Sequence, residues 1–138
     1  MYPKEVYFIR HGETEQNKLG IVQGSGIDSE LNTLGLIQGE SFYKNFCDKN
    51  FDLVIASDMQ RAYQTIQFFE HQQRIIERDP RIKEICWGEH KGKQGDPDLL
   101  IKYYKIIDSW KSGDYHASAL FGESAAKLEA RLVEFLAD

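Results

Sequence analysis

The chain has 138 residues, 41% of them apolar and 28% charged, with a formal net charge of -5. That balance fits one globular domain and excludes a disordered chain. The negative charge argues against non-specific nucleic-acid binding, which needs a basic face, so any anion site must gather its cations locally.

Met1-Tyr2-Pro3-Lys4-Glu5 does not resemble a signal peptide, and no apolar run reaches membrane-spanning length. Cys47 and Cys86 are too few for a disulfide framework and sit in no Cys/His cluster. They read as free thiols of a cytoplasmic protein, with no metal site.

Val6-Tyr7-Phe8-Ile9 is short and continuously apolar, which predicts a buried strand of the parallel type. Residues 12–32 hold four glycines among polar residues and read as a loop. Thr33 is a candidate N-cap for a helix running to about Lys49, with Leu36, Phe42 and Phe46 on one face. Gly35 and Gly39 weaken that helix, each by up to ~1 kcal/mol relative to alanine.

Leu53-Val54-Ile55-Ala56 reads as a second buried strand. Ser57-Asp58 then opens a helix to about Gln72, and Ile75-Ile76 suggests a third short strand. Asp96-Pro97 starts a helix that Lys111-Ser112-Gly113 ends, and a last helix begins near Ser124. Strands alternating with helices predict an α/β layered fold of one domain.

Arg10-His11-Gly12-Glu13-Thr14 directly follows the first predicted strand, and ligands of open α/β sheets bind beyond the carboxyl ends of strands. A neutral imidazole nitrogen there can attack phosphorus. The adjacent arginine supplies fork-shaped donors and disfavours the protonated ring. One such tripeptide is also compatible with a structural role. The second strand is followed by Ser57-Asp58-Met59-Gln60-Arg61-Ala62, which places Arg61 on the first turn of a helix. It is either an exposed helix arginine or the second half of a clamp.

These runs combine with Asn17, Gln23-Gly24, Asp28-x-x-Leu31-x-x-x-Gly35-x-x-Gln38, Thr65, Glu84-x-x-Trp87-Gly88-x-x-x-Gly92 and Gly122-Glu123-Ser124. In that order and at those spacings, the chain resembles the histidine phosphatase (phosphoglycerate-mutase-like) superfamily along essentially its whole length. The resemblance implies a three-layer α/β/α fold with a mostly parallel sheet. It also implies a metal- and cofactor-independent phosphomonoesterase acting on a small phosphorylated metabolite, with no nucleic-acid or membrane partner and room for a homo-oligomer.

By motif position, His11 is the expected phosphohistidine nucleophile, and Arg10 and Arg61 are the phosphate clamp. Asn17, Gln23 and Gly24 are expected to touch phosphate or leaving group, and Glu84 to be the proton donor. The alternative for Glu84 is a solvated surface carboxylate. Gln16 before Asn17, and Gln23-Gly24, look phosphatase-like rather than mutase-like; the alternatives are a phosphoglycerate mutase or a catalytically weak phospho-ligand binder.

The chain departs from the family pattern at His90, where an aromatic residue is usual, and at Lys91, where glutamate is usual. The family's second histidine, on a late strand, is not met before Asp138. The resemblance therefore leads one to expect a domain incomplete at its C-terminus. His71 is expected on an outer helix face, and His116 in a loop with a guessed place at the substrate rim.

Overall fold

The computed structural model describes residues 5–138; Met1–Lys4, most of the opening read above, lie outside them. Among the described residues, five α-helices, α1 (Glu15–Lys18), α2 (Thr33–Phe46), α3 (Gln60–Ile66), α4 (Pro97–Lys111) and α5 (Ala125–Ala137), accompany two short strands, β1 (Val54–Ala56) and β2 (Ile76–Arg78). The architecture is α/β with a small parallel sheet. Val54 pairs with Ile76, Ile55 with Glu77 and Ala56 with Arg78. The crossover between the strands is α3 followed by a tight 3-10 segment, Gln67–Gln72.

The predicted helix from Ser57 to Gln72 is thus divided. Its N-cap position, Met59, offers no side-chain oxygen. Asp28 from the preceding loop does the capping instead, accepting from the Gln60 N–H at 2.7 Å. The third predicted strand is present, shifted to Ile76–Arg78.

The N-terminal expectation is corrected. Val6–Ile9 makes no β-ladder pairing among the described residues, and Val6 and Phe8 are 67% and 85% exposed. An apolar run becomes a buried strand only where a neighbour supplies its N–H and C=O partners. Here the segment is held by Tyr7, whose ring meets Phe46 at 5.7 Å and Phe51 at 5.4 Å.

α2 starts at Thr33, but its cap is Asn32, which accepts from the Gly35 N–H at 2.9 Å; the helix ends at Phe46, short of Lys49. Gly35 and Gly39 have a positive role that helix propensity hides. A Cβ on Gly39 would stand 2.7 Å from the Thr65 carbonyl oxygen, and one on Gly35 would collide with the Glu13 carbonyl. Their bareness lets α2 lie directly on α3 and on the turn after His11. The core on that side is Ala56, Ile66 and Phe69, packed by Phe42, Tyr43, Phe46 and Phe51.

α4 and α5 begin where the sequence places them. Asp96 caps α4, and Ser124 caps α5 by accepting from Lys127 N–H. α4 is joined to the turn after Glu84 by stacked aromatics: Trp87 lies 5.0 Å from Tyr103 and 6.0 Å from Trp110. α5 is fixed by Arg131, whose guanidinium forks onto Glu123 at 2.8 and 2.9 Å. No helix among the described residues is long and apolar enough to cross a membrane.

Candidate active site

His11 sits half-buried in the turn after Val6–Ile9. Its Nδ1 lies 2.7 Å from the Gly12 carbonyl oxygen. A carbonyl can only accept, so Nδ1 carries the proton and Nε2 keeps the lone pair. The His11 pKa lies below its ordinary value of 6.5. Burial is the main cause, opposed by the Gly12 hydrogen bond; Arg61 lowers it further, Glu84 raises it, and Arg10 lowers it least of the three charges. The ring is therefore held neutral at pH 7. The neighbouring arginine does act in the expected direction, but Arg61 from across the fold acts more strongly.

Arg61 is not the exposed helix arginine that spacing alone allowed. It is 1% exposed. Its Nη1 donates to the Ile27 carbonyl at 2.6 Å, and its Nη2 donates to the Gly24 carbonyl at 2.8 Å and to Glu84 Oε2 at 3.1 Å. An arginine has five N–H donors. The Nε–H and one Nη1–H thus have no protein acceptor among the described residues.

Thr65 links the turn after His11 to the helix that carries Arg61. Its hydroxyl accepts from the Gly12 N–H at 2.9 Å and donates to the Arg61 carbonyl at 2.7 Å. The geometry follows from its place four residues after Arg61 on α3, where a threonine hydroxyl can reach back to the i−4 carbonyl. The turn bearing His11 and the helix bearing Arg61 are thereby tied through one buried oxygen.

The loop residues divide by role. Thr14 and Asn17 form a reciprocal cap on α1: Asn17 N–H donates to Thr14 Oγ1, and Thr14 N–H donates to Asn17 Oδ1, both at 3.1 Å. The Asn17 Nδ2 amide is left without a protein acceptor among the described residues. Gln23 is buried and committed at both ends, donating to Thr14 Oγ1 at 2.8 Å and accepting from Ser29 Oγ. Gly24 meets the site through the carbonyl that receives Arg61. Glu84 is 42% exposed at its side chain and joins the group through Arg61. Arg10 is exposed.

His71 and His116 are exposed, and neither makes a hydrogen bond to these residues. His90 is buried, with no partner for Nε2 among the described residues. No metal-binding group of three or more His, Cys, Asp or Glu side chains occurs among the described residues.

The profile of the histidine phosphatase superfamily (branch 1) matches residues 6–138. The chain belongs to the histidine phosphatase superfamily.

Among relatives, a Hydrogenobacter thermophilus protein named "Putative phosphoserine phosphatase 2" is 31% identical over 138 residues, covering 98% of this chain and 66% of that protein. Fructose-2,6-bisphosphatase TIGAR of Xenopus tropicalis is 33% identical over 134 residues, covering 92% of this chain and 46% of its own length. The crystal structure of the alpha-ribazole phosphatase from Shigella flexneri superposes with a TM-score of 0.76 at 26% identity, covering 94% of this chain and 63% of that one. The chain thus spans between 46% and 66% of the length of these relatives.

Within this histidine phosphatase fold, the structure brings His11, Arg61 and Glu84 together, with Gly24 at their edge. Sequence reasoning quoted Thr65 and gave it no role. The available signal was a hydroxyl one helical turn beyond the arginine.

Proposed function

We propose that this chain is a phosphomonoester hydrolase that works through phospho-His11. The observation that supports this most is the tautomer: Nδ1–H is tied to the Gly12 carbonyl, so the lone pair of a neutral Nε2 is free beside Arg61.

A phosphomonoester enters with its oxygens on the free Arg61 donors, on Arg10 and on the Asn17 amide. Nε2 attacks phosphorus in line, the ester P–O bond breaks, and the leaving alkoxide takes a proton from Glu84. Water then attacks the phosphohistidine, Glu84 takes up one of its protons, and Nε2 departs with its lone pair restored. The arginines offset charge on the equatorial oxygens, so the step is positioning and electrostatics without a metal. Gln23, fixed between Thr14 and Ser29, shapes the Gly24 turn.

Substrates are small phosphorylated metabolites, in keeping with relatives named for phosphoserine and fructose 2,6-bisphosphate. The protein works in the cytoplasm. The test is to trap acid-labile, base-stable phosphate during turnover and map it: it should lie on His11 and vanish in His11→Ala.

A further inference from the structure

Three successive peptide groups shape the turn that carries His11. The first, His11–Gly12, is held by Thr65, whose hydroxyl accepts the Gly12 N–H at 2.9 Å. The third, Glu13–Thr14, is held at both ends. The Glu13 carbonyl accepts the Asn32 N–H at 2.9 Å, and the Thr14 N–H donates to Asn17 Oδ1 at 3.1 Å.

The middle group, Gly12–Glu13, is the one on which the His11 tautomer depends. Its carbonyl receives Nδ1–H at 2.7 Å, and its N–H, on the opposite side of the same plane, donates to Gln38 Oε1 at 2.8 Å. Apart from His11 itself, Gln38 is the one partner of this peptide among the described residues. A peptide next to glycine turns over easily, because Gly12 has no Cβ to resist the change. With the carbonyl turned away from Nδ1, the ring could carry its proton on Nε2, where no lone pair would remain to attack phosphorus.

Gln38 reaches the turn because of the side of α2 on which it sits. Asn32, Gly35 and Gln38 follow one another at intervals of three and face the same way. Asn32 donates its side-chain amide to Glu13 Oε1 at 2.8 Å. Gly35 has no side chain to hold the helix off, and the approach is close enough that a Cβ on Gly12 would stand 2.6 Å from the Gly35 carbonyl oxygen. One helical turn further on, the Gln38 carboxamide meets the Glu13 N–H.

We infer that Gln38 is a positioning residue for phosphoryl transfer: it holds the Gly12–Glu13 peptide so that the Gly12 carbonyl faces His11 Nδ1 and Nε2 keeps the attacking lone pair. Hydrogen bonds in a chain reinforce one another, so the Gln38 contact also makes the Gly12 carbonyl a better acceptor. This role rests on the phosphatase reading, but the tautomer it sets can be read without turnover.

Gln38→Met keeps the side-chain length and removes the acceptor, and Gln38→Glu keeps an oxygen at similar reach. Gln38 is exposed and both replacements are good helix formers, so α2 should stay folded. Ring-nitrogen NMR of isotope-labelled protein at about pH 8, where His11 is neutral, reads the tautomer. The His11 signals are those lost in His11→Asn. Wild type should show Nδ1–H, Gln38→Met should show Nε2–H as well, and Gln38→Glu should retain Nδ1–H. Single-turnover phosphorylation of His11 should slow about three- to tenfold in Gln38→Met, the scale of one neutral hydrogen bond, and recover in Gln38→Glu. An unchanged tautomer or an unslowed transfer in Gln38→Met, or an equal loss in Gln38→Glu, overturns the inference. If the tautomer responds as expected but wild-type His11 takes up no phosphate, the phosphatase reading fails while the hold of Gln38 on the ring stands.

Discussion

Thr65 Oγ1 stands between the turn bearing His11 and the helix bearing Arg61, accepting the Gly12 N–H at 2.9 Å while donating to the Arg61 carbonyl at 2.7 Å. Replacing it with valine preserves shape and leaves a buried N–H without an acceptor. That should cost about 1–3 kcal/mol of stability. Urea unfolding of Thr65→Val against Thr65→Ser measures it. The serine variant, which keeps the oxygen, should lose clearly less.

Arg61 ties together Gly24, Ile27 and Glu84 while two of its N–H donors have no protein acceptor among the described residues. Arg61→Lys retains a charge but cannot reproduce the planar fork. Loss of one charge-assisted contact, ~1.5–3 kcal/mol, corresponds to at least about tenfold slower phosphoryl transfer. A single-turnover rate equal to wild type would place Arg61 outside the reaction.

Several of these relations were legible in the sequence and several were not, for identifiable reasons. That Arg61 follows a strand was readable from the apolar run before it, which forms β1, whereas the run before Arg10-His11 forms no strand. Gln23 looked like a ligand contact, yet Thr14 and Ser29 occupy its carboxamide; a sequence does not tell an internal partner from a substrate. Asn32 and Thr33 can both cap a helix, and only the backbone decided for Asn32. Val6–Ile9 showed its apolarity but not its neighbours, and strand formation depends on neighbours.

Gly35 and Gly39 give the sharpest conflict between local propensity and packing. An alanine at position 39 should strengthen an isolated helix by about 1 kcal/mol. In the protein its Cβ would meet the Thr65 carbonyl at 2.7 Å, so Gly39→Ala should instead destabilise, by about 1–3 kcal/mol for an overpacked contact. A higher melting temperature for Gly39→Ala would refute the backbone-to-backbone packing of α2 on α3.

The lowered pKa of His11 sets the direction of two pH effects. Single-turnover phosphoryl transfer should fall as pH drops, with a midpoint below 6.5, as Nε2 gains a proton. Stability should follow in the same sense. Because the folded pKa lies below the unfolded one, the unfolded chain binds the proton first. The stabilising contribution is complete above about pH 6.5 and is lost as pH falls through the folded value. Comparing urea midpoints of wild type and His11→Asn at pH 8 and pH 5 isolates this contribution, and wild type should lose more on acidification.

Glu84→Gln keeps the side-chain shape and removes the proton. Alkyl phosphates, whose alkoxides leave poorly, should slow by at least about a hundredfold, and activated aryl phosphates much less. Equal losses for both classes would assign Glu84 to holding Arg61 rather than to proton transfer.

The most direct test of the whole account is the position of the phosphoryl group during turnover. Rapid quenching of the protein with a phosphomonoester, followed by peptide mapping under alkaline conditions, should find phosphate on His11 Nε2. Turnover with the phosphate on another residue, or undiminished turnover by His11→Ala, would contradict it.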